Sequence, residues 1–142
     1  MGRMIVVANR LPVSISKQEG DFHLERSPGG LASSLAALPE SLTRVWLGWP
    51  GIPSDGLELQ EREDIRRRLA GDDCIPVFLS QSLLDHYYLG FCNETIWPLF
   101  HYFPTRTVFE PGFWEAYQQV NRLFCEELMN VVQPGDRLFS PH

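Results

Sequence analysis

The sequence predicts an α/β fold, a Rossmann-like parallel sheet flanked by helices with a β-hairpin insertion, and three observations support this. Short β-branched runs alternate with helical segments, an order that favours parallel strands joined by helices. The chain has 142 residues, which fits one domain with a buried core. Hydrophobic residues make up 44% and charged residues 21%, a composition that argues against disorder.

The predicted strands of the parallel sheet are short apolar runs. They are residues 4–8, 45–47, 75–79 and 137–139. The first run, Met-Ile-Val-Val-Ala, is continuous and apolar, as in a strand buried on both faces. Residues 13–16 and 22–25 instead alternate polar and apolar around a Gln-Glu-Gly-Asp turn, a pattern typical of a hairpin.

Helices are predicted between these strands. The segments are 31–38, 61–70, 82–89 and 111 to about 132. The longest begins at Pro111, and its apolar residues recur every three or four positions, so one face should be buried. In segment 61–70, acidic residues precede Arg66, Arg67 and Arg68, so we expect ion pairs at i,i+4 and a solvated face.

Charge and cysteine content exclude several classes of protein. The net charge of -6 and pI of about 5.1 argue against a nucleic-acid partner, which requires clustered cations. No apolar run approaches the ~20 residues that span a bilayer, and the start does not resemble a signal peptide. Cys74, Cys92 and Cys125 lack metal-site spacing, so we expect reduced, mostly buried thiols in a cytoplasmic protein.

Candidate binding groups follow from the predicted sheet, because ligands of open parallel sheets bind beyond the carboxyl ends of the strands. Arg10 lies at the end of the first predicted strand, where a guanidinium is suited to bind phosphate. The sequence is equally compatible with an internal salt bridge of Arg10. Gly29 and Gly30 precede a predicted helix, where free amides attract phosphate, although the local pattern alone favours a tight turn.

Aromatic residues offer a second set of candidates. Tyr88 can donate its hydroxyl to a phosphate or sugar oxygen, and Trp97 or Trp49 can pack on sugar C–H groups. At such spacing these residues are more often part of a core. No nucleophile–base constellation, Walker loop or dinucleotide fingerprint is present, so chemistry would rest on positioning and electrostatics.

Five motifs, taken in order, closely resemble the trehalose-6-phosphate synthases of glycosyltransferase family 20. They are Ile-Val-Val-Ala-Asn-Arg-Leu-Pro at 5–12, Gly-Gly-Leu at 29–31, Trp-Leu-Gly-Trp-Pro-Gly at 46–51, Asp-His-Tyr-Tyr at 85–88 and Trp-Pro-Leu-Phe-His-Tyr at 97–102. Each motif is weak alone, but their ordered coincidence along nearly the whole chain is specific.

The resemblance implies the GT-B architecture, in which two Rossmann-like domains face a cleft. It implies transfer of glucose from UDP-glucose to glucose 6-phosphate with retention, without metal or other cofactor. Residues 1–142 are then expected to be an incomplete acceptor-side domain, with the nucleotide-sugar domain absent. The expected partners are a sugar phosphate and a nucleotide sugar, and homo-oligomerisation of the full-length protein stays open.

Site residues are carried over from the resemblance position by position. Arg10 and Tyr88 match the family residues that contact the acceptor phosphate. Trp97 matches the tryptophan that shapes the acceptor pocket, and Trp49 matches a tryptophan that lines the acceptor side of the site. Gly29 and Gly30 match the loop whose amides face the donor diphosphate. No catalytic set is complete in this chain.

The resemblance breaks down at residues 137–142, where the family continues with Trp-Val-His-Asp-Tyr. The acceptor-binding aspartate of that motif and the later diphosphate-stabilising groups are missing, so we expect the 142-residue chain to be inactive alone. Two alternatives remain, a synthase for another acceptor such as glycerol 3-phosphate, and a non-catalytic sugar-phosphate-binding regulatory subunit. The donor nucleotide and the presence of a phosphatase domain stay undetermined.

Overall fold

The computed structural model describes residues 3–26, 43–87 and 111–139. The strands are β1 (Met4–Arg10), β2 (Val13–Gln18), β3 (Asp21–Arg26), β4 (Arg44–Trp49), β5 (Cys74–Pro76) and β6 (Arg137–Phe139). The helices are α1 (Leu59–Ala70), α2 (Gln81–Leu84) and α3 (Pro111–Val131). The helix predicted over 31–38 and the aromatic segment 93–102 lie outside the described residues, as do positions 88 and 89.

Four of these strands form a parallel sheet in the order β5-β4-β1-β6, and β2 pairs with β3 as an antiparallel hairpin. The α/β fold with a parallel sheet and a hairpin is therefore confirmed. The strand predicted over 75–79 is shorter in the structure, where β5 is Cys74–Pro76. Beyond it, Val77 N still donates to the carbonyl of Gly48 at 2.8 Å.

The described chain divides into two compact units. The first contains Met1–Ile52, Gly56–Phe78 and Glu127–His142, and therefore the sheet, the hairpin and α1. The second contains Pro53–Asp55 and Leu79–Glu126. In the second unit the ring of Tyr87 is buried and lies 6.0 Å from that of Tyr117, so this tyrosine is a core residue.

The hairpin of the first unit packs on α1. Their shared cluster consists of buried apolar side chains, namely Leu11, Val13, Ile15, Phe22, Ile65, Leu69 and Cys74. Two polar contacts also join the hairpin to the helix. Arg68 donates to the carbonyl of Phe22 at 2.9 Å, and Lys17 pairs with Glu61 at 3.1 Å. This packing fixes β2 relative to the exit of β1.

Two of the three arginines in the basic run of α1, Arg66 and Arg68, are paired on the helix. Arg68 lies 3.0 Å from Asp64 at i,i+4, and Arg66 lies 3.7 Å from Glu63 at i,i+3. The predicted end of this helix at Gly71 is right, but Gly71 keeps a right-handed φ of -65°. The left-handed residue is Asp73, with φ 55°.

The two described cysteines differ. Cys74 is buried, and burial raises the pKa of its thiol to about 12, so it stays protonated at neutral pH. Cys125 is exposed on α3, and Cys92 lies outside the described residues, so the expectation of mostly buried thiols holds for Cys74 and not for Cys125. Among residues 3–26, 43–87 and 111–139, no helix is long and apolar enough to cross a membrane.

An ion pair joins the start of β1 to the turn before β6. Asp136 accepts from Arg3 Nη2 at 2.9 Å and from the backbone of Gln133 at 2.8 Å. Arg3 Nη2 also donates to the carbonyl of Val131 at 2.8 Å, at the end of α3. The pKa of Asp136 is lowered from 3.8 to about 2, and the hydrogen bond from the Arg3 side chain is the largest cause.

Asp136→Asn should destabilise the fold in a pH-dependent way. Because the pKa of Asp136 is depressed in the folded state, its contribution is complete above about pH 4 and lost as pH falls toward 2. We expect the variant to be less stable than wild type at pH 7 and the gap to close by about pH 2. Urea unfolding at a series of pH values measures this gap, with Asp72→Asn, at an exposed carboxylate, as the control. A gap that stays constant down to pH 2 would contradict the assignment.

A bulge shapes the carboxyl end of β1. Ala8 and Asn9 lie opposite Gly48 alone, since Val7 pairs with Leu47 and Arg10 with Trp49. A Cβ at Gly48 would lie 2.6 Å from the carbonyl oxygen of Ala8 and 3.2 Å from the nitrogen of Leu11. Only glycine allows the two backbones to approach this closely.

Gly48→Ala should therefore lower the free energy of unfolding by about 1–3 kcal/mol, because the new methyl group meets backbone that cannot rotate away. Gly71→Ala is the matched control, since its φ is -65° and its nearest contact would be 3.4 Å. Alanine has less backbone freedom than glycine in the unfolded state. This control should therefore be as stable as wild type or about 0.4–1 kcal/mol more stable. Chemical denaturation compares the two variants, and equal stabilities would refute the close approach.

Candidate functional site

Arg10 and Trp49 meet at the carboxyl edge of the parallel sheet. They are the last residues of β1 and β4, and they are direct partners in the register of the two strands. Since ligands of open parallel sheets bind at this edge, the structure places both predicted residues where the topology expects a site. Their juxtaposition depends on the bulge, which advances β1 by one residue relative to β4.

The guanidinium of Arg10 is held by neutral groups. Nη2 donates to Ser14 Oγ at 3.0 Å, and Cζ lies 5.5 Å from the ring centroid of Trp49. Arg10 is exposed, so its guanidinium is accessible from solvent. Within residues 3–26, 43–87 and 111–139 no salt bridge involves Arg10, so the internal salt bridge considered from the sequence is not seen there.

Trp49 is fixed by its own hydrogen bond. Its Nε1 donates to the carbonyl of Ile52 at 3.1 Å, across a turn in which Gly51 has φ 90°. Trp49 is half-buried, so it is not fully enclosed by the described residues. An indole face of this kind can pack on Arg10 and on the C–H groups of a sugar.

The arrangement can bind an anion. A guanidinium has five N–H donors, and one described side-chain acceptor, the Ser14 hydroxyl, takes one of them. The remaining donors suit two phosphate oxygens in a planar, bidentate contact. Because no described carboxylate neutralises Arg10, its charge is available to a phosphate at the sheet edge.

The other predicted site residues cannot be placed. Tyr88, Trp97, Gly29 and Gly30 all lie outside the described residues. Their roles in phosphate, acceptor and donor binding stay predictions. Ser14 was missed by the sequence reasoning, which assigned the hairpin a structural role only. The available signal was a hydroxyl four residues after Arg10, across the Leu-Pro bend.

A cavity of about 550 Å³ lies elsewhere in the first unit. Its lining includes Arg3, Val45, Arg66 and Glu127, so it faces the starts of β1 and β4, away from Arg10. Arg66 pairs with Glu127 at 3.0 Å, and Arg3 pairs with Asp136. These charges already have partners, so we place the candidate site at the opposite edge of the sheet.

The described part of the chain contains no set of side chains that could bind a metal ion. Residues 3–26, 43–87 and 111–139 contain no group of three His, Cys, Asp or Glu side chains that could hold an ion. The absence of a metal or other cofactor from the reaction stays a prediction.

Comparison with known proteins supports the motif resemblance. The family model described as Glycosyltransferase family 20 matches residues 2–139. The UDP-forming alpha,alpha-trehalose-phosphate synthase of Yarrowia lipolytica is 43% identical over 142 residues, and that of Emericella nidulans is 41% identical over 141. These alignments cover 96% of this chain, which spans 29% and 27% of the two relatives.

Solved structures show the same relation. A UDP-forming synthase from Burkholderia xenovorans matches with a TM-score of 0.68 at 27% identity, over 99% of this chain and 27% of that one. A second structure from that organism, described as a complex with glucose-6-phosphate, matches with a TM-score of 0.66 at 26% identity, over 98% and 28%.

The predicted fold, part of a GT-B glycosyltransferase, is thereby confirmed. The ordered motifs, the parallel sheet and the matched residues 2–139 agree, and the chain belongs to glycosyltransferase family 20.

Proposed function

We propose that the protein carrying this chain transfers glucose from UDP-glucose to glucose 6-phosphate, with retention, to give trehalose 6-phosphate. The observation that carries this proposal is the exposed Arg10 guanidinium, stacked beside Trp49 at the carboxyl edge of the sheet. Two relatives at 43% and 41% identity bear the name of this activity, and one structural relative is described with bound glucose-6-phosphate.

In this reaction an acceptor hydroxyl forms a bond to the anomeric carbon of the donor glucose. The bond from that carbon to the diphosphate breaks on the same face, and the hydroxyl proton leaves with the departing diphosphate. The protein accelerates this step by alignment and charge stabilisation, without metal. Arg10 and Tyr88 bind the acceptor phosphate, Trp97 and Trp49 line the acceptor pocket, and the Gly29–Gly30 amides face the donor diphosphate.

The alternative acceptor and the regulatory subunit are less well supported. Both would accommodate a phosphate at Arg10, but the two fungal relatives are named as UDP-forming trehalose-phosphate synthases. A half-buried indole beside the guanidinium also favours an acceptor with a sugar ring over a short polyol phosphate.

Arg10→Ala should weaken binding of glucose 6-phosphate by about 10- to 100-fold, the usual worth of hydrogen bonds to a charged group. Arg10→Lys should fall between wild type and alanine, because an ammonium keeps the charge but not the planar fork. Isothermal titration of glucose 6-phosphate into each protein measures the effect.

Arg67→Ala is the control for this series, since it removes the same charge from an exposed position on α1. It should leave the affinity unchanged. Wild-type affinity in Arg10→Ala, with the fold intact by circular dichroism, would remove the basis of the proposed acceptor site.

Trp49→Ala should weaken binding of glucose 6-phosphate more than binding of glycerol 3-phosphate. Both ligands present a phosphate to Arg10, so any displacement of the guanidinium affects both, whereas only glucose offers a ring to the indole. We expect the ratio of the two dissociation constants to change by about 3- to 10-fold, as for one lost aromatic contact.

Competition titrations with the two ligands give this ratio directly. Trp49→Phe keeps an aromatic face and should retain most of the wild-type preference. An unchanged ratio in Trp49→Ala would show that the indole does not contact the sugar.

A further inference from the structure

We propose that Ser14 is a positioning residue, which holds the Arg10 guanidinium in the orientation that receives the acceptor phosphate. This inference rests on the proposed function and adds a residue that the sequence motifs do not identify. Its direct observation is the hydrogen bond from Arg10 Nη2 to Ser14 Oγ at 3.0 Å.

The backbone on both sides of Ser14 is anchored. Leu11 N donates to the carbonyl of Trp49 at 3.0 Å, and Ile15 N donates to the carbonyl of Pro50 at 2.8 Å. The side chains of Leu11 and Ile15 are 1% and 2% exposed, so they are locked in the core. The backbone that carries Ser14 is therefore fixed relative to the indole over which Arg10 lies.

The neighbouring turn leaves room for this hydroxyl. A Cβ at Gly51 would lie 3.0 Å from Ser14 Cβ and 3.1 Å from Ser14 Oγ. Gly51 also has φ 90°, a conformation that other residues adopt only with strain. A side chain at position 51 would press on the hydroxyl that holds Arg10.

A neutral acceptor suits this task better than a carboxylate. An acidic side chain would neutralise the guanidinium and compete with phosphate for it, whereas a hydroxyl restrains one N–H and leaves the charge. Arg10 is exposed, so without this bond its long side chain would sample many rotamers. Restraining it before the ligand arrives reduces the entropy lost on binding.

A double-mutant cycle tests the proposal. Ser14→Ala should raise the dissociation constant of glucose 6-phosphate by about 3- to 10-fold, the worth of ordering one long side chain. In the Arg10→Ala background the same substitution should have no effect, because the group that Ser14 positions is gone. Isothermal titration of the wild type, both single variants and the double variant completes the cycle.

Two further variants separate positioning from general damage to the hairpin. Ser16→Ala removes a hydroxyl from the same face of β2, and Ser16 Oγ makes no hydrogen bond among the described residues. This variant should bind like wild type. Ser14→Thr keeps the acceptor oxygen on a residue suited to a strand, and should restore most of the affinity.

The outcomes separate the inference from the proposed function. If Arg10→Ala binds normally, the proposed function fails. If Arg10→Ala binds weakly but Ser14→Ala binds normally, or adds its full effect to that of Arg10→Ala, Ser14 does not act through Arg10 and the positioning role is wrong. Equal losses in Ser14→Ala and Ser14→Thr would also overturn it.

Discussion

The bulged pairing of β1 with β4 is the contact on which the candidate site depends. Up to Val7 the two strands pair residue by residue. Beyond Val7, β1 has two residues opposite Gly48, which is one more than regular pairing requires. That extra residue brings Arg10 level with Trp49 and lets Leu11 N reach the carbonyl of Trp49. A missing side chain at position 48 therefore determines which groups share the carboxyl edge of the sheet.

The two ends of β1 use their arginines differently. At the amino end Arg3 is paired with Asp136 and with the carbonyl of Val131, so it ties the last residue of α3 and the turn before β6 to the start of β1. At the carboxyl end Arg10 contacts a hydroxyl and an indole, neither of which neutralises it. The first arrangement stabilises the fold, and the second keeps a charge ready for an anion.

Sequence periodicity predicted the described elements because each depends on local pattern. The hairpin and α3 lie within a few residues of their predicted ranges, since alternation and helical spacing are properties of adjacent residues. The exposure of Arg10 and its bond to Ser14 were not predicted, because they depend on how the bend after β1 returns toward β4. That path is set by Gly48 and Gly51, whose role is visible only when the packed neighbours are known.

The hairpin links the core to this edge. Val13 and Ile15 face the cluster shared with α1, so alternation turns Ser14 to the other side, where Arg10 lies. Burying the apolar residues of β2 thus fixes the position of the polar residue between them, without requiring further interactions from the site. Core packing holds the backbone of Ser14 while Arg10 stays solvated, so the guanidinium combines a restrained orientation with a charge that no carboxylate of the described residues neutralises. Both properties are what recognition of a phosphate at the end of a strand requires.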